Sequence, residues 1–542
     1  MKVIRLLLKN SSKIFLLAAV TSFISGASGA GAIAVINYAI ASLPNLPHWL
    51  LWVFLGLCLI LWIFRFISWV LITRLSQEVI YSLRLEMTQQ ILGCPLQHLE
   101  TVGASKLLAT LTGDINAIAT ASVQLSIAIV NFAVLASIFA YLCWLSPLLF
   151  LIVLGSTVAG YTLFNFLQRQ GNEDFKKFRV TQDVLFGHFR SITEGTKELK
   201  LHRPRRIALI NEELKVSAAQ AKHYWVKAVT AFAFGGSTGT VLFFVPIGLI
   251  LFVFPSLGTV SPAILSSYTL AVLYMISPIT EITSALPQIA QANVALNNID
   301  SLGLSLANPV TEPAFPTETD FGANWSSLEL AELHHVYGEA EEHQFSLDYI
   351  NLKFQPGEIV FIVGGNGSGK STLVKLITGL YTPDRGQILF DHIPVTDNNR
   401  EWYRQQFSVV FYDFYLFERL LGLQTNHHEK ILSYLKLLEI DHKVTVKDGI
   451  LSTTNLSQGQ RKRLALLTAY LEDRPIYVFD EWASDQDPVF KDVFYMKLIP
   501  ELKSRGKTII AVSHDDRYFD RCDRLVKLEY GRVVENRRLS HP

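Results

Sequence analysis

Charge is missing from three long stretches of this 542-residue chain. Residues 14–64, 115–168 and 228–280, each about 50 residues long, contain no Asp, Glu, Lys or Arg. A charge at the centre of a membrane helix costs about 2.5–3.5 kcal/mol, and one crossing needs about 20 apolar residues. Each stretch therefore predicts two membrane crossings joined by a short turn, which makes six crossings in all.

Cysteine is also scarce, and the chain as a whole has almost no net charge. The four cysteines (Cys58, Cys94, Cys143 and Cys522) show neither CxxC nor metal-ligand spacing, so a disulfide framework is excluded. The net charge of +1 excludes a strongly basic nucleic-acid binder. A hydrophobic content of 50% excludes intrinsic disorder.

The basic residues predict which ends of the spans lie in the cytoplasm. The turns at 42–48, 144–147 and 255–262 are short and uncharged, whereas the N-terminus and segments 65–114 and 169–227 are rich in Lys and Arg. The positive-inside rule places these basic parts in the cytoplasm. Residues 25–30 are small, as before a signal-peptide cleavage site, but the apolar stretch continues beyond them, so we expect a retained first span.

The long cytoplasmic segments are predicted to be helical arms. Residues 80–92 repeat apolar side chains at three- and four-residue intervals, and arms of roughly 25 residues would extend about 35 Å beyond the bilayer. Residues 101–105 and 192–196 contain helix breakers suited to the tips of these arms. The predicted spans lie at about 14–41, 48–75, 120–144, 147–169, 228–254 and 260–285.

The chain changes character after the sixth span. Residues 1–305 form the predicted transmembrane domain, residues 306–325 a proline-containing linker, and residues 326–542 a domain of ordinary charge density. In the last part, short β-branched strands at 358–363, 386–390, 476–479 and 508–512 alternate with helical segments. This alternation predicts an α/β domain with a largely parallel core sheet.

The α/β domain contains a phosphate-binding loop. Residues 364–371 match G-x-x-x-x-G-K-[ST] between a predicted strand and a predicted helix. Backbone N–H groups of such a loop bind phosphate oxygens, Lys370 carries a charge to the β/γ phosphates, and the Ser371 hydroxyl can ligate Mg²⁺. The predicted ATP-binding residues here are Gly364, Asn366, Gly367, Ser368, Gly369, Lys370, Ser371 and Thr372.

Two acids end a buried strand about 110 residues later. Asp480 can hold Mg²⁺ through water, and the adjacent Glu481 can orient or deprotonate the attacking water. Acids often end strands, so the pair alone is a weak signal. Its position about 110 residues after the phosphate-binding loop makes it a strong indication of a magnesium and catalytic pair. The sequence therefore predicts ATP hydrolysis with Mg²⁺.

Between these motifs lies Leu456-Ser-Gln-Gly-Gln460, followed by an apolar helix. Here the sequence resembles the ATP-binding-cassette (ABC) family, whose signature segment usually reads Leu-Ser-Gly-Gly-Gln. Ser457 is predicted to cap the helix, and Ser457, Gln458, Gly459 and Gln460 are implied to meet the γ-phosphate of an ATP. The resemblance implies a six-span exporter of type I/IV fused to a cytoplasmic P-loop ATPase domain.

The resemblance also implies roles for residues outside these motifs. Tyr337 matches the aromatic residue that stacks on adenine, Asp487 the acid after the catalytic Glu, and His514 the switch histidine that senses the γ-phosphate. In this family each ATP lies between the phosphate-binding loop of one domain and the signature segment of another. A chain with one ATPase domain is therefore expected to pair with a second copy of itself.

One position departs from the family pattern. Tyr412 occupies the place of a Gln that usually touches Mg²⁺ or the attacking water, and Asp413 follows it. A carboxylate suits Mg²⁺ better than a phenol does, so Asp413 is the favoured replacement and Tyr412 the alternative. The segment from Tyr412 to Ser457 is also shorter than in most exporters. Both departures resemble bacterial exporters of cyclic peptides, lipopeptides and siderophore precursors, of the syringomycin and pyoverdine type.

The expected function is ATP-driven export of a cyclic or lipid-bearing peptide across the bacterial inner membrane, with N-terminus and ATPase domain in the cytoplasm. The expected partners are a second copy, an amphipathic peptide, and membrane lipids, with no nucleic acid. The uncharged spans offer large rings to such a solute: Phe132, Tyr141, Phe232, Phe234, Tyr268 and Tyr274. A lipid floppase or multidrug exporter, and a non-transporting membrane ATPase regulator, stay open as alternatives.

Overall fold

The computed structural model describes residues 2–42, 46–253, 262–301, 325–337, 345–423 and 428–539. The predicted linker at 306–325, apart from its last residue, and most of the predicted turn at 255–262 lie outside these ranges. The chain divides into two compact units. A helical unit comprises Met1–Thr88 and Lys106–Ala307, and an α/β unit comprises Gln89–Ser105 and Asn308–Pro542.

The helical unit contains the six predicted crossings. Its described candidate spans, by length and apolar composition, are Leu16–Ile40, Trp49–Gly93, Lys106–Leu145, Pro147–Phe164, Arg203–Val253 and Ile264–Asp300. The α-helices of this part of the chain are Lys2–Ala41, Trp49–Gly93, Leu96–Val102, Ala104–Ala109, Ile115–Leu145, Pro147–Glu194, Thr196–Leu201, Arg203–Ala208, Lys215–Gly248 and Pro262–Ser301. The six-span fold class is confirmed.

Two of the span helices continue far past their apolar stretches, which agrees with the prediction of helical arms. The second runs without interruption to Gly93 and the fourth to Glu194. Single turns of π-helix occur at Thr110–Asp114, Leu209–Leu214 and Leu249–Val253, the last directly after the helix that contains Pro246. Proline removes a backbone hydrogen bond from a helix, which accounts for the irregular turn beside it.

The third, fourth and sixth spans share a buried core that includes Ile138, Leu149 and Val272. Tyr268 of the sixth span is fully buried there and donates its hydroxyl hydrogen to the carbonyl oxygens of Leu142 and Ser146, at 2.6 and 2.7 Å. Those carbonyls lie where the third span ends and the fourth begins, so one phenol links the turn between these two spans to the sixth span.

The α/β unit is built on two larger sheets. Its strands are β1 Leu328–Tyr337, β2 Phe345–Phe354, β3 Ile359–Gly364, β4 Arg385–Phe390, β5 Ile393–Pro394, β6 Phe407–Val410, β7 Val446–Lys447, β8 Ile450–Leu451, β9 Ile476–Asp480, β10 Thr508–Val512, β11 Arg524–Glu529 and β12 Arg532–Arg538. In the core sheet, of order β12-β11-β3-β10-β9-β6, the pairs from β11 to β6 are parallel and β12 is antiparallel.

One predicted strand belongs elsewhere. Residues 386–390 lie in β4, which pairs antiparallel with β1 in the second sheet, of order β2-β1-β4-β5, and not in the parallel core. The sequence pattern of a short apolar strand does not encode its partner. The α-helices of this unit are Lys370–Ile377, Arg400–Arg404, His428–Leu437, Gln458–Glu472, Pro488–Val493 and Ile499–Ser504.

The tip of the first arm lies in the α/β unit. The short helix Leu96–Val102, called here the tip helix, ends at Gly103, whose φ of +83° is the left-handed conformation that favours glycine. Leu96 packs against the core around the core sheet, and Glu100 pairs with Lys375 at 2.7 Å. The contacts of the first arm with the rest of the α/β unit thus include Leu96 and Glu100, which precede the helix breakers predicted at residues 101–105.

Candidate functional site

A cavity of about 390 Å³ opens where β3 ends and the helix Lys370–Ile377 begins. The residues that line it come from the phosphate-binding loop, from β1 and β2, and from the end of β9. They are Tyr337, Phe345, Asn366, Gly367, Gly369, Lys370, Ser371, Thr372 and Glu481. The structure therefore brings together most of the residues predicted for the phosphate-binding loop, with Tyr337 and Glu481 beside them.

The loop wraps tightly because of its glycines. Gly369 has a φ of +99°, and a Cβ atom there would lie 2.7 Å from the rings or methyl groups of Phe345 and Leu347. Any other residue at this position would meet both a strained backbone and a filled space. The loop backbone can therefore approach an anion closely at the start of the following helix.

Lys370 is buried in the loop, and its ammonium donates to the carbonyl oxygens of Gly364 and Gly365 at 3.1 and 3.0 Å. Burial lowers the pKa of Lys370, and the nearby carboxylates of Glu481 and Asp480 oppose that shift. Ser368 Oγ, in the same loop, is buried with no hydrogen-bond partner among the described residues. A buried cation and an unpaired hydroxyl fit a phosphate group, whose oxygens would satisfy both.

Asp480 and Ser371 form the part of the site that fits a magnesium ion. Ser371 Oγ lies 3.5 Å from Asp480 Oδ1, and Asp480 accepts the backbone N–H of Tyr412. Burial raises the pKa of Asp480, and the adjacent charges of Glu481 and Asp413 raise it further, so a cation here would relieve a cost. The described residues contain no group of three or more His, Cys, Asp or Glu side chains placed for a metal. Mg²⁺ would take its remaining ligands from phosphates and water.

Glu481 lies between the phosphate-binding loop and His514. Its Oε1 is 3.0 Å from His514 Nε2 and 3.9 Å from Lys370 Nζ. The backbone of Glu481 is left-handed, with a φ of +49°, which is uncommon for a residue with a side chain. This turn at the end of β9 directs the carboxylate to the cavity wall.

The signature segment begins a helix, as predicted. Ser457 is the N-cap of Gln458–Glu472, and its side chain and that of Gln460 form a reciprocal capping box. A Cβ atom at Gly459 would lie 2.8 Å from the carbonyl oxygen of Asp485, so the glycine also permits close packing on the loop after Glu481. None of the described residues that line the phosphate-loop cavity comes from 457–460.

Asp487 and Tyr337 occupy supporting positions. Asp487 caps the helix Pro488–Val493 by accepting the Phe490 N–H at 2.9 Å and also pairs with Arg463 at 2.8 Å. The Phe490 N–H, and then Arg463, hold the pKa of Asp487 below its usual range. Tyr337 is about half exposed at the cavity, and its ring stacks on Tyr381 with centroids 6.5 Å apart.

Tyr412 and Asp413 diverge in their surroundings. The ring of Tyr412 lies 5.0 Å from the ammonium of Lys462, on the signature helix. Asp413 is exposed, and its charge contributes to raising the pKa of Asp480.

A second cavity, of about 490 Å³, lies among the fourth, fifth and sixth spans. The lining consists of small, hydroxyl-bearing and apolar residues: Ser156, Thr157, Gly160, Tyr161, Phe164, Phe232, Gly236, Ser237, Gly239, Pro246, Val272, Met275, Ile279, Thr280, Thr283, Ser284 and Pro287. None of these described lining residues is charged.

Only one of the rings expected to face a solute lines this cavity, and that is Phe232. Phe132 and Phe234 are 69% and 63% exposed on the single chain. Tyr141 reaches Ser267 at 3.5 Å, and Tyr274 lies beside Gly29 of the first span. Tyr268 is the buried tie between spans described above.

Sequence reasoning missed three residues at the α/β site: Glu100, Tyr381 and Lys462. Glu100 and Tyr381 stand alone in the sequence without a motif. Lys462 carried a signal, since it lies in the basic run directly after the signature segment, but that run reads equally well as a solvated helix face.

A six-span helical unit joined to an α/β unit with a phosphate-binding loop, a capped signature helix and an acid pair after β9 defines an ABC exporter half-transporter. Residues 14–281 match the ABC transporter transmembrane region, and residues 347–484 match the ABC transporter family. The chain is 36% identical over 527 residues to the ATP-binding protein SyrD of Pseudomonas syringae pv. syringae, covering 95% of this chain and 93% of the relative. This chain therefore belongs to the ABC transporter family.

More distant relatives agree with this assignment. The ATP-dependent lipid A-core flippase of Alkalilimnicola ehrlichii is 27% identical, with 91% of this chain and 85% of the relative covered. A solved structure of a bacterial Atm1-family ABC exporter with ATP bound shares the fold, with a TM-score of 0.77 at 16% identity, covering 96% of this chain and 94% of that one. The chain is thus a multi-pass membrane ATPase whose hydrolysis is coupled to transport, and a non-transporting regulator is set aside.

Proposed function

We propose that this ABC exporter moves a compact amphipathic peptide, cyclic or lipid-bearing and including siderophore precursors, out of the cytoplasm by alternating access. The proposed location is the bacterial inner membrane, with the N-terminus and the α/β unit in the cytoplasm. The observation that carries the substrate class is the chemistry of the cavity among the fourth, fifth and sixth spans.

The cavity wall favours a neutral ligand that donates hydrogen bonds. The hydroxyls of Thr157, Thr280 and Thr283 donate to carbonyl oxygens of their own helices, at 2.7, 2.8 and 2.7 Å. Ser156 and Ser284 do the same at 2.9 Å. Because each hydroxyl hydrogen is already used, the oxygen is left to accept from a ligand.

A peptide with a few unshielded N–H groups and a large apolar surface satisfies this wall. Phe164, Phe232 and Met275 supply the apolar contacts. A buried donor without a partner costs about 1–3 kcal/mol, so a cyclic peptide that shields most of its own backbone loses less here than its linear form does.

The proposed ATP site is shared between two copies of the chain. The cavity at the phosphate-binding loop provides Lys370 for the phosphates and Tyr337 for the adenine, while Ser457–Gln460 begin a helix outside its lining. A second copy supplying its signature helix would complete the site, and two-fold symmetry would create two equivalent sites. The arm tips near residues 101–107 and 192–199 are the proposed contacts with the ATPase domains, one of them with the domain of the second copy.

Within each site we assign Glu481 as the general base, held by His514, which senses the γ-phosphate. Ser371, Asp480 and Asp413 would hold Mg²⁺, which neutralises charge on the phosphate oxygens when bound. Asp487 positions the loop after Glu481 against Arg463 of the signature helix. Mutual placement of these groups, rather than covalent chemistry, supplies most of the rate in phosphoryl transfer.

The second candidate is a lipid floppase, which the 27% identity to a lipid A-core flippase favours. A phosphorylated lipid headgroup calls for cationic or donating side chains. The described cavity lining offers no charged residue and mostly acceptor hydroxyls, which weighs against that cargo.

ATP hydrolysis in liposomes tests the substrate class. The probes are a synthetic cyclic lipopeptide, its ring-opened linear form, and lipid A. Stronger stimulation by the cyclic form than by the linear form is expected, with uptake of the cyclic form into inverted vesicles. Equal stimulation by both peptides, or stimulation by lipid A alone, would contradict peptide export and favour the lipid floppase.

A further inference from the structure

Lys462 is a fully buried lysine on the signature helix Gln458–Glu472. An isolated buried ammonium is strongly disfavoured, so its partners must compensate for the lost water. No motif and no step of the proposed hydrolysis uses this residue. It lies five residues after Ser457, and its ammonium reaches the residue that directly follows β9, Glu481.

Three oxygen atoms surround the Lys462 ammonium. It donates to the backbone carbonyl oxygen of Glu481 at 2.9 Å and to Ser484 Oγ at 3.1 Å, and it pairs with Asp485 Oδ2 at 2.7 Å. An ammonium has three hydrogens, so these contacts use its full donor capacity. The Tyr412 ring, 5.0 Å from the nitrogen, adds a cation–π contact on a remaining side.

The carbonyl oxygen of Glu481 accepts several hydrogen bonds. Besides the Lys462 ammonium it accepts Ser484 Oγ at 2.7 Å and the Ser484 N–H at 3.3 Å. The next residue is tied to the same lysine, because the Trp482 indole N–H donates to the Lys462 carbonyl at 3.0 Å. Lys462 therefore contacts both Glu481, through its ammonium, and Trp482, through its carbonyl, directly after the left-handed backbone of Glu481.

We propose that Lys462 is a positioning residue for hydrolysis: its ammonium fixes the left-handed turn at Glu481 and so aims the carboxylate at the attacking water. A left-handed backbone at a residue with a side chain persists only when its surroundings determine it. Without the ammonium, the Glu481 carbonyl loses its charged hydrogen-bond donor, and the carboxylate shifts away from its place between His514 and Lys370. This inference rests on the proposed role of Glu481 as general base.

Lys462→Met in the full-length protein in liposomes tests the inference, since Met fills nearly the same volume without the charge. The turnover number should fall about 10–100-fold, because a misplacement of about 1 Å can cost 10²-fold. The dissociation constant of a fluorescent ATP analogue should stay within about twofold of wild type, as positioning acts on turnover and not on binding. Lys436→Met, at an exposed lysine of the helix His428–Leu437, controls for loss of a charge.

Asp485→Asn provides a second variant, which keeps the lysine and weakens its ion pair at the partly exposed end. It should lower turnover several-fold at unchanged ATP binding, and it decides the question if Lys462→Met fails to fold. Wild-type turnover in the variant that folds, or a loss of turnover matched by an equal loss of ATP affinity, would overturn the proposal. Glu481→Gln measured alongside separates the two claims, because appreciable hydrolysis by that variant refutes the general base itself.

Discussion

Tyr381 donates its hydroxyl hydrogen to a carboxylate oxygen of Glu100, 281 residues earlier in the chain. Glu100 belongs to the tip helix of the first arm, and Tyr381 stacks on Tyr337 at the phosphate-loop cavity. Lys375 pairs with the same carboxylate at 2.7 Å and lies over the Tyr381 ring. Burial, and then the bond to Glu100, raise the pKa of Tyr381, so the phenol remains a donor. Glu100 thus contacts Tyr381, the ring that stacks on Tyr337, and Tyr337 is the proposed contact of the adenine ring.

Glu100→Ala is expected to weaken apparent ATP affinity by roughly fivefold. The reason is the loss of one hydrogen bond that fixes Tyr381 under Tyr337, worth about 1 kcal/mol. The measurement is the ATP concentration for half-maximal hydrolysis. Glu100→Gln keeps an acceptor for the phenol and should lose less. Glu329→Ala is the matched control, because it removes a partly exposed carboxylate of β1 that pairs with Lys353. An ATP affinity equal to wild type in Glu100→Ala would contradict a role of Glu100 in positioning Tyr381 and Tyr337.

The difference between what the sequence could and could not predict follows from the range of each interaction. The phosphate-binding loop and the capping box at Ser457 are made by residues within a few positions of one another, so their spacing reveals them. Glu100 and Tyr381 meet only through the tertiary fold, and no local pattern marks either. The sequence did not predict which membrane rings line the cavity, because the spans are apolar on every side and such a helix does not show which face lines a cavity.

Glu481→Gln should reduce ATP hydrolysis by at least about 10²-fold, the lower end of what a general base contributes. ATP binding should persist, since the amide keeps the size of the side chain and its contact with His514. Steady-state hydrolysis and equilibrium ATP binding are measured on the same preparation. Lys370→Ala should behave differently and lose ATP binding itself. Hydrolysis by Glu481→Gln at a tenth of the wild-type rate or more would show that another group activates the water.

Asp413→Ala is expected to lower turnover and to raise the Mg²⁺ concentration needed for it, because a carboxylate near Asp480 is lost. Tyr412→Phe should change little, since the ring over Lys462 is retained and only the hydroxyl is removed. Hydrolysis measured over a Mg²⁺ titration ranks the two variants. The reverse ranking would assign the work of the missing Gln to the Tyr412 phenol.

Thr283→Val is expected to raise the concentration of cyclic lipopeptide that gives half-maximal ATPase stimulation. Valine matches threonine in shape but removes the hydroxyl of a residue that lines the membrane cavity. One hydrogen bond of about 0.5–1.5 kcal/mol corresponds to roughly a 2–10-fold shift. Thr269→Val is the matched control, because Thr269 lies on the same helix and bonds its own Leu265 carbonyl in the same way but is outside the cavity lining.

The pair of threonines distinguishes recognition in this cavity from a general effect on the sixth span. If both variants shift the half-maximal concentration equally, the helix and not the cavity responds to the change. If neither shifts it while the cyclic form still stimulates better than the linear form, the peptide binds elsewhere in the membrane unit. A shift in Thr283→Val alone would assign the acceptor wall of this cavity to the peptide N–H groups, because the two substitutions differ only in what their oxygen atoms face.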